Sequence, residues 1–161
     1  MNLSCRGVAV ALLIGTLGCH DPFGAASNTQ VGANLVRLTV SASTSEVARG
    51  SPVTIHATLT NDGTQAITLH FRDTCQILPY MRNALGEIVL PAEGAWGCGA
   101  MLTDLTLTPG QSVTQDFVWT GGDSFGTQMP LFFLPTGRYL CTVEVPALEV
   151  FLRASVAITL T

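Results

Sequence analysis

His56 and His70 are the imidazoles in the body of this chain, and each lies on the polar face of an alternating segment. The segments are joined by Asn61-Asp62-Gly63-Thr64. A hairpin with the three-residue loop Asp62–Thr64 would set the two rings directly opposite each other and offer a metal two ligands. A link that crosses between two sheets would instead place them on opposite outer faces. No third ligand follows at metal-site spacing, so the pattern predicts two solvated strand histidines and no metal. The third histidine, His20, lies far upstream.

The carboxylates are scattered. Asp104, Asp116, Glu144 and Glu149 fall on or beside apolar alternating runs, while Asp62, Asp73, Glu93 and Asp123 fall in turns. No spacing pairs them for acid–base work. There is no Gly-x-Ser-x-Gly elbow, no phosphate-binding glycine loop and no His-Glu-x-x-His. Lysine is absent, which removes Schiff-base chemistry. Asp123-Ser124-Phe125-Gly126 after Gly121-Gly122 has the look of a calcium loop, but one carboxylate is too few and a hairpin tip is expected. The sequence thus predicts no catalytic residues and no cofactor. Trp96, between Ala95 and Gly97-Cys98-Gly99, either packs on a neighbouring cross-link or presents its ring to a partner. Trp119 shares strand parity with Val113 and Phe117 and is assigned to the core.

The cysteines carry the remaining chemistry, and their reading depends on the N-terminus. Met1–Arg6 holds one positive charge, and Gly7–Leu17 is an apolar run of signal-peptide length, too short for a spanning helix of roughly 20 residues. Gly18-Cys19 and a polar, small-residue stretch follow. The pattern resembles a lipoprotein signal, in which a small residue precedes a cysteine that is lipidated and becomes the mature N-terminus. Leu17 and Gly18 suit that pattern, and Thr16 departs from its usual Leu. Residues 1–18 are therefore predicted as the signal peptide, Cys19 as the lipidation site, and 19–34 as a flexible leash. An ordinary signal peptide cut near Ala25-Ala26 is the alternative. Both export the domain, and lipidation anchors it to a membrane of the bacterial cell envelope.

Export permits oxidation. With Cys5 lost in the signal and Cys19 lipidated, Cys75, Cys98 and Cys141 remain. Cys141 shares parity with Tyr139, Val143 and Val145 and should point into the core as a free thiol. Cys75 and Cys98 lie outside regular strands and are predicted to form the disulfide.

The elements that must position these residues are strands. From Leu35 onward the hydrophobic period is two, with turn signals about every ten residues. Val36, Leu38, Val40 and Ala42 form one apolar face, Val53, Ile55, Ala57 and Leu59 a second, and Ile67, Leu69 and Phe71 a third. Further strands are predicted over 76–82, 87–90, 101–108, 112–120, 138–145 and 150–160. Leu85-Gly86, Pro109-Gly110, Gly121-Gly122 and Thr136-Gly137 supply turn residues between them. Eight or nine strands over 35–161 predict an all-β domain, an immunoglobulin-like antiparallel β-sandwich. Apolar residues at 47% exclude a disordered chain, and a net charge of −4 excludes the footprint of nucleic-acid binding.

Three pieces together resemble the intracellular proteinase inhibitor domain family known as BsuPI, over about 53–145. They are Leu59-Thr60-Asn61-Asp62-Gly63 with Ile67-Thr68-Leu69-His70-Phe71; Gln76, Tyr80–Asn83 and Gly86; and Leu107-Thr108-Pro109-Gly110-Gln111, Phe117-Val118-Trp119 and Pro135-Thr136-Gly137-Arg138-Tyr139. The sequence departs from that family where Val89-Leu90-Pro91 replaces its tryptophans, in its cysteines and in its export signal. The resemblance implies a sandwich fold and, as the most specific version of function, inhibition of a protease. Fold carries over further than activity does. The expectation is a non-catalytic exported binding module with a protein partner, a protease being the most specific candidate. The alternative is a structural or assembly lipoprotein of the envelope that adds a strand to its partner.

Overall fold

The computed structural model describes residues 28–32 and 35–161. Cys19, the signal segment and most of the leash lie outside the described residues. The chain is all-β, with eleven strands and no helix among the described residues. In chain order they are β1 (Asn28–Val31), β2 (Val36–Ala42), β3 (Glu46–Val47), β4 (Val53–Asn61), β5 (Ile67–Phe71), β6 (Leu78–Arg82), β7 (Ile88–Leu90), β8 (Thr103–Leu107), β9 (Ser112–Trp119), β10 (Gly137–Pro146) and β11 (Phe151–Leu160). Nine of these coincide with predicted strands. The additional two are β1 and β3, which carry too little apolar alternation to be read from sequence. β1 falls in the segment expected to be leash, and it pairs with β2 from Asn28↔Val40 to Val31↔Arg37.

The strands form a four-stranded sheet in the order β1-β2-β4-β9, a five-stranded sheet in the order β3-β11-β10-β6-β7, and a two-stranded sheet β5-β8. Pairing is antiparallel except between β3 and the end of β11, which run parallel. One apolar cluster joins all three sheets. Leu38, Ile55 and Trp119 enter it from the first sheet, Met81, Val143 and Leu152 from the second, and Leu69, Phe71 and Leu107 from the third. In β2 Val36, Leu38 and Val40 are buried while Ala42 at its end is half-buried, in β4 Val53, Ile55, Ala57 and Leu59 are buried, and a slip of one residue would expose each set.

The link after β4 does not close a hairpin. β4 pairs with β2 and β9, whereas β5 pairs with β8, so the chain passes from one sheet to another between Asn61 and Ile67. Asn61 makes the crossing possible. Its buried side chain donates from Nδ2 to Gln65 O (2.8 Å) and Leu107 O (3.0 Å), and its Oδ1 accepts the Gly63 amide (2.9 Å). A buried amide with its hydrogen bonds met costs little, and here it ties the turn to β8. At the rim of the same turn Asp62 accepts two bonds from Arg37 at 2.6 and 2.8 Å, and that guanidinium holds the Asp62 carboxyl below the usual range.

Candidate functional site

The crossing separates the two histidines. His56 stands opposite Asp116 of β9 and His70 opposite Asp104 of β8, so no two-histidine site is built. Each imidazole has instead found a carboxylate. His56 Nδ1 lies 2.7 Å from Asp116 Oδ1, and His70 Nδ1 lies 2.5 Å from Glu149 Oε1. Glu149 also accepts the backbone amide of His70 on Oε2 at 3.0 Å, and Asp104 Oδ1 lies 4.0 Å from His70 Nε2. The hydrogen bond to Glu149 raises the His70 pKa. The bonds from the His70 amide and ring in turn lower that of Glu149. This pair pins the β10–β11 connection to β5, where Leu148 N also donates to His70 O at 2.9 Å.

Of the cysteines, Cys75, Cys98 and Cys141 lie among the described residues and fall as predicted. Cys75 and Cys98 are bridged, with Cα atoms 5.6 Å apart, and Cys141 is a buried thiol whose pKa burial pushes up to about 12. Asp73 comes close enough to both bridged sulfurs to suggest a ligand group. The sulfurs are already committed to each other, and Asp73 Oδ1 accepts the Cys75 amide at 2.8 Å. Trp119 is buried, donates from Nε1 to Gly122 O at 2.9 Å, and meets Tyr139 edge-on with centroids 5.4 Å apart.

Around the disulfide a groove of about 400 Å³ is lined by Thr74–Pro79, Trp96, Phe125 and, from β9, Gln115 and Phe117. One wall is made by the loop that the bridge closes, and the other by β9 and Phe125. Gly99 N donates to Thr74 Oγ1 (2.9 Å), Thr74 N to Gly99 O (3.1 Å), and Thr103 Oγ1 to Asp73 O (2.7 Å), so both feet of the loop are fastened. Gly99 fits closely at that foot, since a Cβ there would lie 3.2 Å from Thr74 Cγ2 and the threonine would have to shift by a few tenths of an ångström. Trp96 is half-buried, and its Nε1 donates to Pro79 O at 2.9 Å, which satisfies the one polar atom of the indole. Its ring centroid is 6.1 Å from that of Phe125, and Phe125 is 6.1 Å from Phe117. Trp96 therefore both packs beside the cross-link and lines an open surface.

Three aromatic rings in a row, with Gln76 and Gln115 beside them, form an apolar floor with polar margins. β9 is the last strand of its sheet. Among the described residues its outer edge is met near its end, where Gly126 N donates to Val118 O at 2.8 Å. Sequence reading identified Trp96 but not Phe125, which belongs to the segment first considered as a calcium loop. Asp123 of that segment braces the loop, its Oδ1 accepting Leu131 N at 3.2 Å.

No protein-family model matches the chain, and no curated protein matches it. Solved structures similar to it include a β-glucosidase from Erythrobacter marinus, at 12% identity and a TM-score of 0.43, covering 76% of this chain and 15% of that one. A β-glucosidase from Listeria innocua matches at 12% identity and a TM-score of 0.40, over 78% of this chain and 16% of that one. The alkylpurine DNA glycosylase AlkC from Pseudomonas fluorescens matches at 13% and 0.42, over 75% of this chain and 29% of that one. The chain thus spans less than a third of the length of each.

Proposed function

We infer that the chain is a non-catalytic binding module of the bacterial cell envelope, exported, lipid-anchored through Cys19, and built as an immunoglobulin-like β-sandwich. It takes a protein partner in the Trp96 groove. The observation that carries this reading is the row Trp96–Phe125–Phe117, in which Trp96 stands on the loop whose ends are joined by Cys75–Cys98, Phe117 on β9, and Phe125 on the connection that follows β9. Aromatic rings that are fixed before binding lose little freedom when a partner covers them. The sandwich reading is supported by Tyr139, whose hydroxyl donates to Pro135 O at 2.6 Å near the start of β10, two residues before Cys141. That arrangement is similar to the tyrosine corner of immunoglobulin-like domains.

Inhibition of a protease is the most specific version, suggested by the family resemblance. The open edge of β9 favours a second reading, an assembly role in which a partner adds a strand there. A photo-crosslinking residue at the exposed, groove-lining Gln115 tests both in intact cells. The expected result is a discrete protein adduct, lost on Trp96→Ala for groove binding and retained for pure strand addition. No adduct would defeat the binding module. Residual activity of serine proteases with the mature domain at micromolar concentration decides the inhibitor version.

A further inference from the structure

The longest connection, Thr120–Thr136, joins β9 to β10 and carries an exposed apolar tip. Met129, Leu131 and Phe132 are 83%, 94% and 59% exposed, and no charged residue occurs among the fourteen from Ser124 to Gly137. Exposed apolar side chains scattered singly need no explanation, but a contiguous uncharged group does.

The tip is presented by a rigid base. Asp123 N donates to Phe132 O, Leu134 N donates to Gly121 O at 2.8 Å, and Trp119 Nε1 donates to Gly122 O. Pro130 packs so tightly on Gly122 that a Cβ there would lie 2.1 Å from the proline's own Cβ.

Strand register shows which end of the domain this is. Val53 pairs with Trp119, Ala42 with Ile55, and Asn28 with Val40. The chain upstream of Asn28 therefore enters at the end from which the loop projects, one sheet-width away. The end of β6 and its following turn lie there too, because Arg82 pairs with Leu140, and the turn adds Leu85, 82% exposed. Arg49, Arg82 and Arg138 balance Glu46, Glu87 and Asp123 at this end. The excess of acidic side chains on the described domain thus falls elsewhere.

We propose that this end of the domain faces a lipid bilayer and that Met129, Leu131 and Phe132 insert into its headgroup–acyl boundary. A lipid anchor on the chain that leads to Asn28, and an apolar tip at the end where Asn28 lies, would hold the domain in one orientation, with the Trp96 groove on its flank. The orientation rests on the reading of Cys19 given above, whereas insertion of the tip does not.

The test uses the mature chain carrying Cys19→Ser, mixed with vesicles of phosphatidylethanolamine and phosphatidylglycerol and separated by flotation. The chain is expected to float with the vesicles, and Leu131→Asp with Phe132→Asp to lower its partition coefficient by about tenfold. Both side chains face solvent, so the melting curve of that variant should overlay its parent's. Phe132→Trp should add a fluorescence component quenched by brominated acyl chains. Failure of the parent to float, or equal flotation by the double variant, overturns the proposal. So does a photo-crosslinker at Leu131 that captures a protein rather than lipid in cells. An unmodified Cys19 would refute the anchor while leaving the vesicle result standing.

Discussion

His70 and Glu149 show how a polar residue on a strand face acquires a role that its type alone does not specify. The imidazolium is favoured in the folded chain by the carboxylate beside it, so its contribution is complete below its ordinary pKa of 6.5 and is lost as pH rises through the raised folded value. The Glu149 carboxylate is favoured in the folded chain as well. Its contribution is complete above its ordinary 4.5 and is lost as pH falls through the lowered folded value. The two overlap fully between those ordinary values. Thermal melts at low salt should therefore show the largest gap between the parent and His70→Ala between pH 4.5 and 6.5, narrowing on both sides. The pair is solvent-exposed, so added salt should shrink the gap. A gap independent of pH would mean that the ion pair contributes nothing.

At the scale of elements, the loop from Cys75 to Cys98 contains two short strands, β6 and β7, and carries Trp96. Closing a separation of 23 residues restricts the unfolded chain, and the same bridge sets the foot on which Trp96 reaches Pro79 O. Replacing both cysteines by alanine should lower stability by about 3 kcal/mol in urea unfolding, in the chain-entropy account of cross-links. Its Trp96 fluorescence should shift toward that of a wetter indole. Cys141 should stay unreactive to alkylating reagents until the chain unfolds, because burial disfavours its thiolate. Unchanged stability, or peptides joining Cys141 to either partner in non-reducing maps, would contradict the bridge.

For the whole molecule, the arrangement of loops about its two ends matters more than any single site. The end at which Asn28 enters carries the apolar tip, and the opposite end carries the Arg37–Asp62 pair and the His70–Glu149 clamp. Along the flank between them, the Trp96 groove sits beside the edge strand β9. The proposed anchored binding module would use this division, with one end for the membrane and a flank for a partner. Its covalent half is tested directly by mass spectrometry of the N-terminal peptide from membranes, where Cys19 should carry the mass of its lipid. A soluble mature chain with an unmodified Cys19 would defeat the anchor.

The positions of nine strands, the buried faces of β2, β4 and β10, and the pairing of Cys75 with Cys98 beside a buried Cys141 were legible in the sequence by itself. Alternation with period two is a property of neighbouring residues, and it already states that Val36, Leu38, Val40, Cys141 and Val143 face inward. Nine strands followed from it. β1 escaped because Asn-Thr-Gln-Val offers no apolar alternation, and β3 because two residues carry no period. Tertiary structure alone decided which strands are neighbours. The two histidines, set fourteen residues apart by a turn that also suits a hairpin, lie in different sheets because Asn61 turns the chain onto β8. The row Trp96–Phe125–Phe117 joins residues whose sequence neighbourhoods have nothing in common. The shared end of Asn28 and the apolar loop follows from register across four strands. Local patterning sets which face of a segment is dry, but the partner of that segment is chosen by burial summed over the whole core, and function here depends on the partners.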